Sequence, residues 1–255
     1  MANHSVRVAL CQIRVVDGDR DGNFERIEQA LSRAASESAD LAVFPESCIY
    51  GWENPVAHER ATSIPGPDTD RLAELVSRFR LWVAIGLDEK AGDDLYDSAV
   101  LFDPDGRIVH SHRKVDVLPE LMTPPYASGR ASDLSVVGTP WGRTALVICA
   151  DTLNDPFMSA LEDLQPALVL VPYGWAAPGS DWPDHAESLA SLVSARASQF
   201  NAPVVGVNAV GTMTQGPWAG FVYGGASLAA LADGTVATVM ADRGSDVRVV
   251  SLTLA

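Results

Sequence analysis

Four residues in this chain have side chains that could cleave a carbon–nitrogen bond together, although they lie far apart in sequence: Glu46, Lys114, Glu120 and Cys149. A thiolate that attacks an amide carbon needs a base to take the thiol proton. A carboxylate serves if apolar surroundings raise its pKa. The tetrahedral intermediate carries negative charge on oxygen, which a lysine ammonium beside a backbone N–H can stabilise. One carboxylate can protonate the leaving amine and later activate water, while a second orients the lysine and balances its charge. Each residue also has a plainer reading. Free cysteine is among the most buried residue types, Glu46 after Pro45 could cap a helix, and Lys114 and Glu120 could be solvated. Spacing alone leaves both readings open.

The elements predicted around these residues place all four at strand ends or in adjoining loops. Thr144–Ile148 reads as a short buried strand ending at Cys149, followed by turn residues and a helix over Pro156–Leu164. A cysteine between a strand and a helix is rigid, open on one side and near free backbone N–H groups. Leu41–Phe44 is a buried strand running into Pro45-Glu46-Ser47-Cys48. Tyr96–Phe102 and Arg107–Val115 form a hairpin across Asp103-Pro104-Asp105-Gly106 that delivers Lys114. Glu120 lies in the irregular stretch Asp116–Ser132 that follows.

The remaining segments complete an alternating pattern. Strands are expected at Val6–Ile13, with Cys11 in the core, and at Leu81–Leu87, Leu134–Gly138, Ala167–Val171, Val204–Asn208, Val222–Ala229, Thr235–Met240 and Val247–Leu252. Helices are expected at Asn23–Ser38, Asp68–Arg80 with Asp68 as N-cap, and Asp184–Phe200. That makes about twelve strands and four or five helices. Apolar runs such as ALVLV, LAVF and TALVI suggest strands buried on both faces. No Gly/Ser-rich linker or low-complexity tract divides the chain. The reading is a single domain over residues 1–255, α/β, with two packed mixed sheets and helices outside.

Composition limits the partners. Of 255 residues, 18 are basic and 33 acidic, a formal charge of −15, which disfavours nucleic acid and anionic membrane. Three cysteines without CxxC spacing argue against a disulfide framework or a zinc site. None of the five histidines sits in a metal motif. Met1–Arg7 has no apolar signal region and no run approaches a membrane span. The expectation is a cytoplasmic protein.

Phe44-Pro45-Glu46, His112-Arg113-Lys114-Val115 and Val147-Ile148-Cys149-Ala150-Asp151 resemble, in order, the three signature segments of the nitrilase superfamily of carbon–nitrogen hydrolases. Gly51-Trp52, Gly142, Val169–Pro172 with Trp175, Ala195-Arg196-Ala197, Asn208, Gly211, Ser227 and Asp233-Gly234 fit the same pattern, so the resemblance runs from about Val6 to Leu252. It implies a four-layer α-β-β-α sandwich, no cofactor and a homodimer or larger homo-oligomer. It assigns the base to Glu46, the oxyanion-stabilising lysine to Lys114, the nucleophile to Cys149 and a second glutamate to Glu120. Departures are His112 and Ala150 where aromatics are usual, and Ser198-Gln199 in place of Glu-Asn. Cys-Ala-Asp also lacks the Cys-Trp-Glu of many nitrilases, which tilts the expectation to a small amide substrate. Nitrile hydrolysis and release of a carbamoyl group are the alternatives within the fold. A non-catalytic binding or assembly protein is the alternative outside it.

Selectivity should come from the loops around the site. They carry Tyr50, Trp52, Tyr126, Tyr173, Trp175 and Trp218, with Arg60 and Arg130 the main cations. Tyr50, Tyr173 and Trp175 are the expected substrate contacts. A neutral or weakly polar acyl group is expected, because a buried substrate carboxylate would need a paired cation.

Overall fold

The computed structural model describes residues 5–254; Met1–His4, part of the stretch read above for a signal region, lie outside them. In chain order the elements are β1 (Ser5–Gln12), α1 (Arg20–Ser36), β2 (Leu41–Val43), α2 (Ala57–Arg60), α3 (Pro67–Phe79), β3 (Trp82–Ala91), β4 (Asp94–Phe102) and β5 (Ile108–Arg113). There follow β6 (Val136–Thr139), β7 (Gly142–Leu146), α4 (Asp155–Asp163), β8 (Leu168–Tyr173), β9 (Ala176–Ala177), α5 (Asp184–Phe200) and β10 (Val204–Asn208). The last are β11 (Val210–Thr212), β12 (Val222–Gly224), β13 (Leu228–Ala230), β14 (Val236–Val239) and β15 (Asp246–Thr253).

Two six-stranded sheets carry the molecule, in the orders β15-β1-β2-β3-β4-β5 and β14-β13-β10-β8-β7-β6. Each has three parallel strands at its centre, β1-β2-β3 in the first and β10-β8-β7 in the second, with antiparallel strands outside them. The sheets pack face to face, with α1 and α3 on the outer face of the first and α4 and α5 on the second. This is a four-layer α-β-β-α sandwich.

Side-chain alternation makes the layering visible on β1. Val6, Val8 and Leu10 pack in the core shared with the second sheet. Ala9 and Cys11 join Phe24, Ile27 and Leu31 of α1 on the other side. Both faces are therefore dry, which is why the central strands are continuous apolar runs.

The element boundaries shift in ways the physics explains. Fifteen strands form among the described residues, against the twelve expected. Val222–Ala229 is broken after Gly224, where Gly225 and Ala226 both take positive φ, and the short β9 and β11 pair with β12 as a third sheet. Asp68 does not cap α3. Gly66 holds that position, with its N–H donated to Thr69 Oγ1. Asp68, the second residue of the helix, is fully buried in its first turn, paired with Arg20 at 2.6 Å and accepting from the Tyr50 hydroxyl. No helix among the described residues is long and apolar enough to cross a membrane.

Candidate active site

Glu46 lies three residues past the end of β2, on a segment pinned to both sheets. Gly86 of β3 donates its N–H to the Pro45 carbonyl and accepts from the Cys48 N–H, each at 3.0 Å. The Glu46 N–H donates to the Tyr173 carbonyl of β8 in the other sheet. A Cβ at residue 86 would lie 2.5 Å from the Glu46 Cα, so only glycine lets the segment seat against β3. Glu46 is thus held through its backbone, before its side chain makes any contact.

Lys114 follows β5. Its N–H donates to the Asp97 carbonyl at 2.8 Å and its carbonyl accepts from Gly129, so the backbone is fixed on both sides. Its side chain is 1% exposed. The ammonium donates to Glu46 Oε1 and, at 3.2 Å, to Asp97 Oδ2. Burial alone would pull the Lys114 pKa down, but the Glu46 and Asp97 carboxylates outweigh it and hold the group well above the ordinary lysine value. It is a permanent cation.

Cys149 opens a 3-10 turn, Cys149–Leu153, beyond β7. Its φ of 39° lies in the left-handed region that β-carbon-bearing residues avoid. The turn is held from several directions. Asp151 Oδ2 accepts the Ile148 N–H at 3.0 Å, and Thr152 Oγ1 donates to the Cys149 carbonyl at 2.6 Å. Arg196 of α5 donates to the Thr152 carbonyl at 2.8 Å. Strain at a position this heavily determined is a signature of a functional turn.

Cys149 is 6% exposed. Its thiol is pushed well up by burial first and then by the neighbouring Glu46 carboxylate, while Lys114 and the Gly174 N–H pull the other way. The sulfur therefore rests as a thiol, with a carboxylate close enough to take its proton. Gly174 is needed for closeness: a Cβ there would lie 2.7 Å from Glu46 Oε2.

Asp151 binds the lysine segment to the nucleophile turn. Its Oδ1 accepts the N–H groups of Val115 and Asp116 at 2.9 and 3.0 Å, and its Oδ2 accepts from His112 Nε2 at 2.8 Å as well as from Ile148. Burial works to raise this carboxyl, but His112 and the backbone donors overcome it and set it below the usual range. His112, standing where an aromatic is usual, supplies one of these bonds.

The structure brings Glu46, Lys114 and Cys149 together, while Glu120 acts on the nearby Glu53 but is not a hydrogen-bond partner of Lys114. Glu120 is exposed on its loop, and the second carboxylate on Lys114 is Asp97 of β4. The expected pairing of Glu120 with Lys114 is corrected on that ground. Asp97 had one signal in the sequence, a carboxylate inside the otherwise apolar strand Tyr96–Phe102, and burial pushes its pKa well up, followed by the charge of Glu46.

Tyr50 is also reassigned. Its hydroxyl is taken by Asp68 and by the Arg60 carbonyl at 2.8 Å, so it ties the α2–α3 region together and has no free polar atom for substrate. Tyr173 is fully buried beside Cys149, its hydroxyl 3.1 Å from Thr152 Oγ1. Trp175 stands edge-on to Tyr173 at 6.1 Å and stacks on His185 at 5.0 Å. Its backbone N–H donates to Asn208 Oδ1. Arg60 and Arg130 are both exposed.

Glu53 and Trp52 carried no sequence signal for a polar role. Glu53 is 2% exposed, takes φ 56°, and is pushed up to about 8 by burial and by the carboxylates of Glu46, Asp88 and Glu120, against the pull of Lys114. The Trp52 ring centroid is 5.0 Å from the Lys114 ammonium.

The carbon-nitrogen hydrolase family model matches residues 7–255. The chain belongs to this family. It is 30% identical over 176 residues to Nitrilase 3 of Arabidopsis thaliana, an alignment covering 62% of this chain and 51% of the relative. The chain thus spans about half the length of the curated relatives it matches. Among solved structures, a carbon-nitrogen hydrolase from Helicobacter pylori G27 superposes with a TM-score of 0.85 at 18% identity, covering 98% of this chain and 89% of the other. A mutant of the amidase from Nesterenkonia sp. AN1 gives 0.84 at 21% identity, covering 98% and 91%. That structure carries the acetamide moiety of fluoroacetamide on its active-site cysteine. These likenesses show the nitrilase-superfamily fold.

Proposed function

We propose that this protein is an amidase that hydrolyses a small carboxamide through a thioester on Cys149. The observation that carries the reading is the convergence of Glu46 and Lys114 on a buried thiol at a strained turn. In the first half-reaction, Glu46 takes the thiol proton as sulfur bonds to the amide carbon, and the Lys114 ammonium stabilises the oxyanion. Glu46 then passes its proton to the amide nitrogen as the C–N bond breaks, releasing ammonia and leaving the thioester. In the second, Glu46 takes a proton from water as its oxygen bonds to the thioester carbon. The C–S bond breaks, sulfur regains the proton, and a carboxylic acid leaves. Asp97 balances Lys114 throughout, so the cation is retained while Glu46 cycles between charged and neutral forms.

The similarity to plant nitrilases favours a second substrate class on the same residues, nitriles, in which a thioimidate forms first and takes up water to release ammonia and give the thioester. Ammonia release from a panel of primary amides, N-carbamoyl compounds and nitriles separates these readings. Cys149→Ala and Cys149→Ser should lower turnover by roughly a thousandfold or more and abolish the acyl adduct seen by intact mass on the unmodified enzyme. Near-normal turnover in the alanine variant would exclude the covalent route.

A further inference from the structure

On the turn beside Glu46 and Lys114, two buried polar atoms have no hydrogen-bond partner in the protein, Oε2 of Glu53 and Nε1 of Trp52, as is also true of Glu46 Oε2, Asp97 Oδ1 and Asp88 Oδ2 nearby. Buried polar groups are nearly always satisfied, and those that are not call for an explanation. Here the two are consecutive in sequence, 2% and 5% exposed, on one turn of the chain. The turn is itself strained, since Glu53 holds a left-handed φ with no glycine to relieve it. It also adjoins the catalytic cluster. Lys114 and Glu46 both act on the Glu53 carboxyl, and the Trp52 ring lies against the Lys114 ammonium. On its far side Trp52 meets Trp218 edge-on at 5.8 Å, which closes the turn with apolar surface.

The chemistry of the two orphan atoms narrows what could satisfy them. An indole N–H only donates, so it needs an acceptor; an ammonium group offers none. A carboxylate tail would add a buried anion beside the Glu46 and Asp88 carboxylates, while Lys114 is already paired with Glu46 and Asp97. A purely alkyl tail satisfies neither atom. A primary carboxamide presents both a carbonyl acceptor and N–H donors on one planar group. The raised pKa of Glu53, about 8, agrees with this choice, because a neutral carboxyl both donates and accepts. Neither atom is used by the hydrolysis steps above.

We infer that Trp52 and Glu53 form a specificity subsite for an uncharged acyl tail that both donates and accepts hydrogen bonds, with a second primary carboxamide as the best-fitting group. The inference rests on the amidase reading for the position of the scissile carbonyl. It sharpens the expectation of a neutral or weakly polar acyl group and moves the polar contact away from Tyr173 and Trp175, whose polar atoms are already paired.

The test compares kcat/KM at pH 7 for straight-chain primary amides of equal length ending in methyl, carboxamide, ammonium or carboxylate. The carboxamide-ended substrate should exceed the methyl-ended one by about tenfold or more, as sites built to pair a polar group discriminate strongly against analogues lacking it. Glu53→Leu should bring that ratio close to one and Trp52→Phe should lower it severalfold. Glu53→Gln, which still donates and accepts, should retain most of it. A ratio near one in the unmodified enzyme, a ratio unchanged by both Glu53→Leu and Trp52→Phe, or a preference for either charged tail would overturn the subsite. If the methyl-ended amide forms the Cys149 acyl adduct and the ratio is still one, the amidase reading stands and only the subsite fails. If no amide is turned over, protection of Cys149 from iodoacetamide still decides the subsite. Succinamide should protect at lower concentration than butyramide, and Glu53→Leu should erase the difference. Equal protection by the two in the unmodified enzyme would overturn it.

Discussion

Lys114 has two carboxylate partners and no exposure to water, so each partner can be removed with a distinct expectation. In the proposed mechanism Glu46 carries the proton, so its loss should stop chemistry. Asp97 only holds and balances the cation. Asp97→Asn should therefore fold and bind but stabilise the oxyanion less well, because Lys114 gains freedom to follow the moving charge on Glu46. A buried hydrogen bond to a charged group is worth about 1–3 kcal/mol, which is roughly 5- to 150-fold in rate. Steady-state kinetics should show the loss in kcat with KM little changed. Glu53 makes a prediction of another kind. Its folded pKa of about 8 lies above the ordinary glutamate value of 4.5, so the folded state binds this proton more tightly than the unfolded chain. Its contribution to stability is fully present below pH 4.5 and is lost as pH rises through about 8. Thermal melts from pH 4.5 to 8.5 should show Tm falling more steeply in the unmodified protein than in Glu53→Gln. Asp88, raised to about 7 by burial, gives both proteins a common slope that the comparison removes.

At the scale of elements, the site depends on two segments that no strand ladder joins: the lysine segment after β5 and the turn after β7. Asp151, itself on the turn after β7, bridges them with four accepted hydrogen bonds: three from the lysine side, His112, Val115 and Asp116, and one from Ile148 beside the turn. Asp151→Ala should separate the segments without touching a reacting atom. At the usual net worth of about 1 kcal/mol per bond, plus the penalty for donors left buried, the fold should lose about 3 kcal/mol or more. The catalytic loss should exceed what the lowered stability explains, measured well below the new Tm. The same elements show what could be read in advance. Glu46 and Cys149 follow apolar strands, so local pattern places them, and Lys114 is placed by the hairpin that carries the mostly polar β5. Glu120 was misplaced because an irregular loop carries no periodicity to say which way a side chain faces. Asp97 was passed over because its inward direction depends on the register of β4 against β3 and β5. Glu53 looked like an ordinary polar turn residue, and its burial comes from segments distant in sequence.

Over the whole molecule, the candidate site residues divide between the sheets. Glu46, Asp97 and Lys114 are carried by the first sheet, and Cys149 and Gly174 by the second. The first sheet is completed by β15, from the far end of the chain, pairing along the full length of β1. The first half of the sequence therefore cannot complete its sheet alone, whereas the second sheet is built wholly from strands within residues 136–239. The seam between the sheets turns the active site into a clock for folding. Local helices and hairpins form before pairings of large sequence separation, whose loop-closure cost must be met first. After dilution from denaturant, far-UV ellipticity should recover ahead of hydrolytic activity, and activity should return together with the tight packing of the shared core. A thiol probe sees the same event from inside: Cys149 should react quickly while the sheets are apart and slowly once they have closed over it.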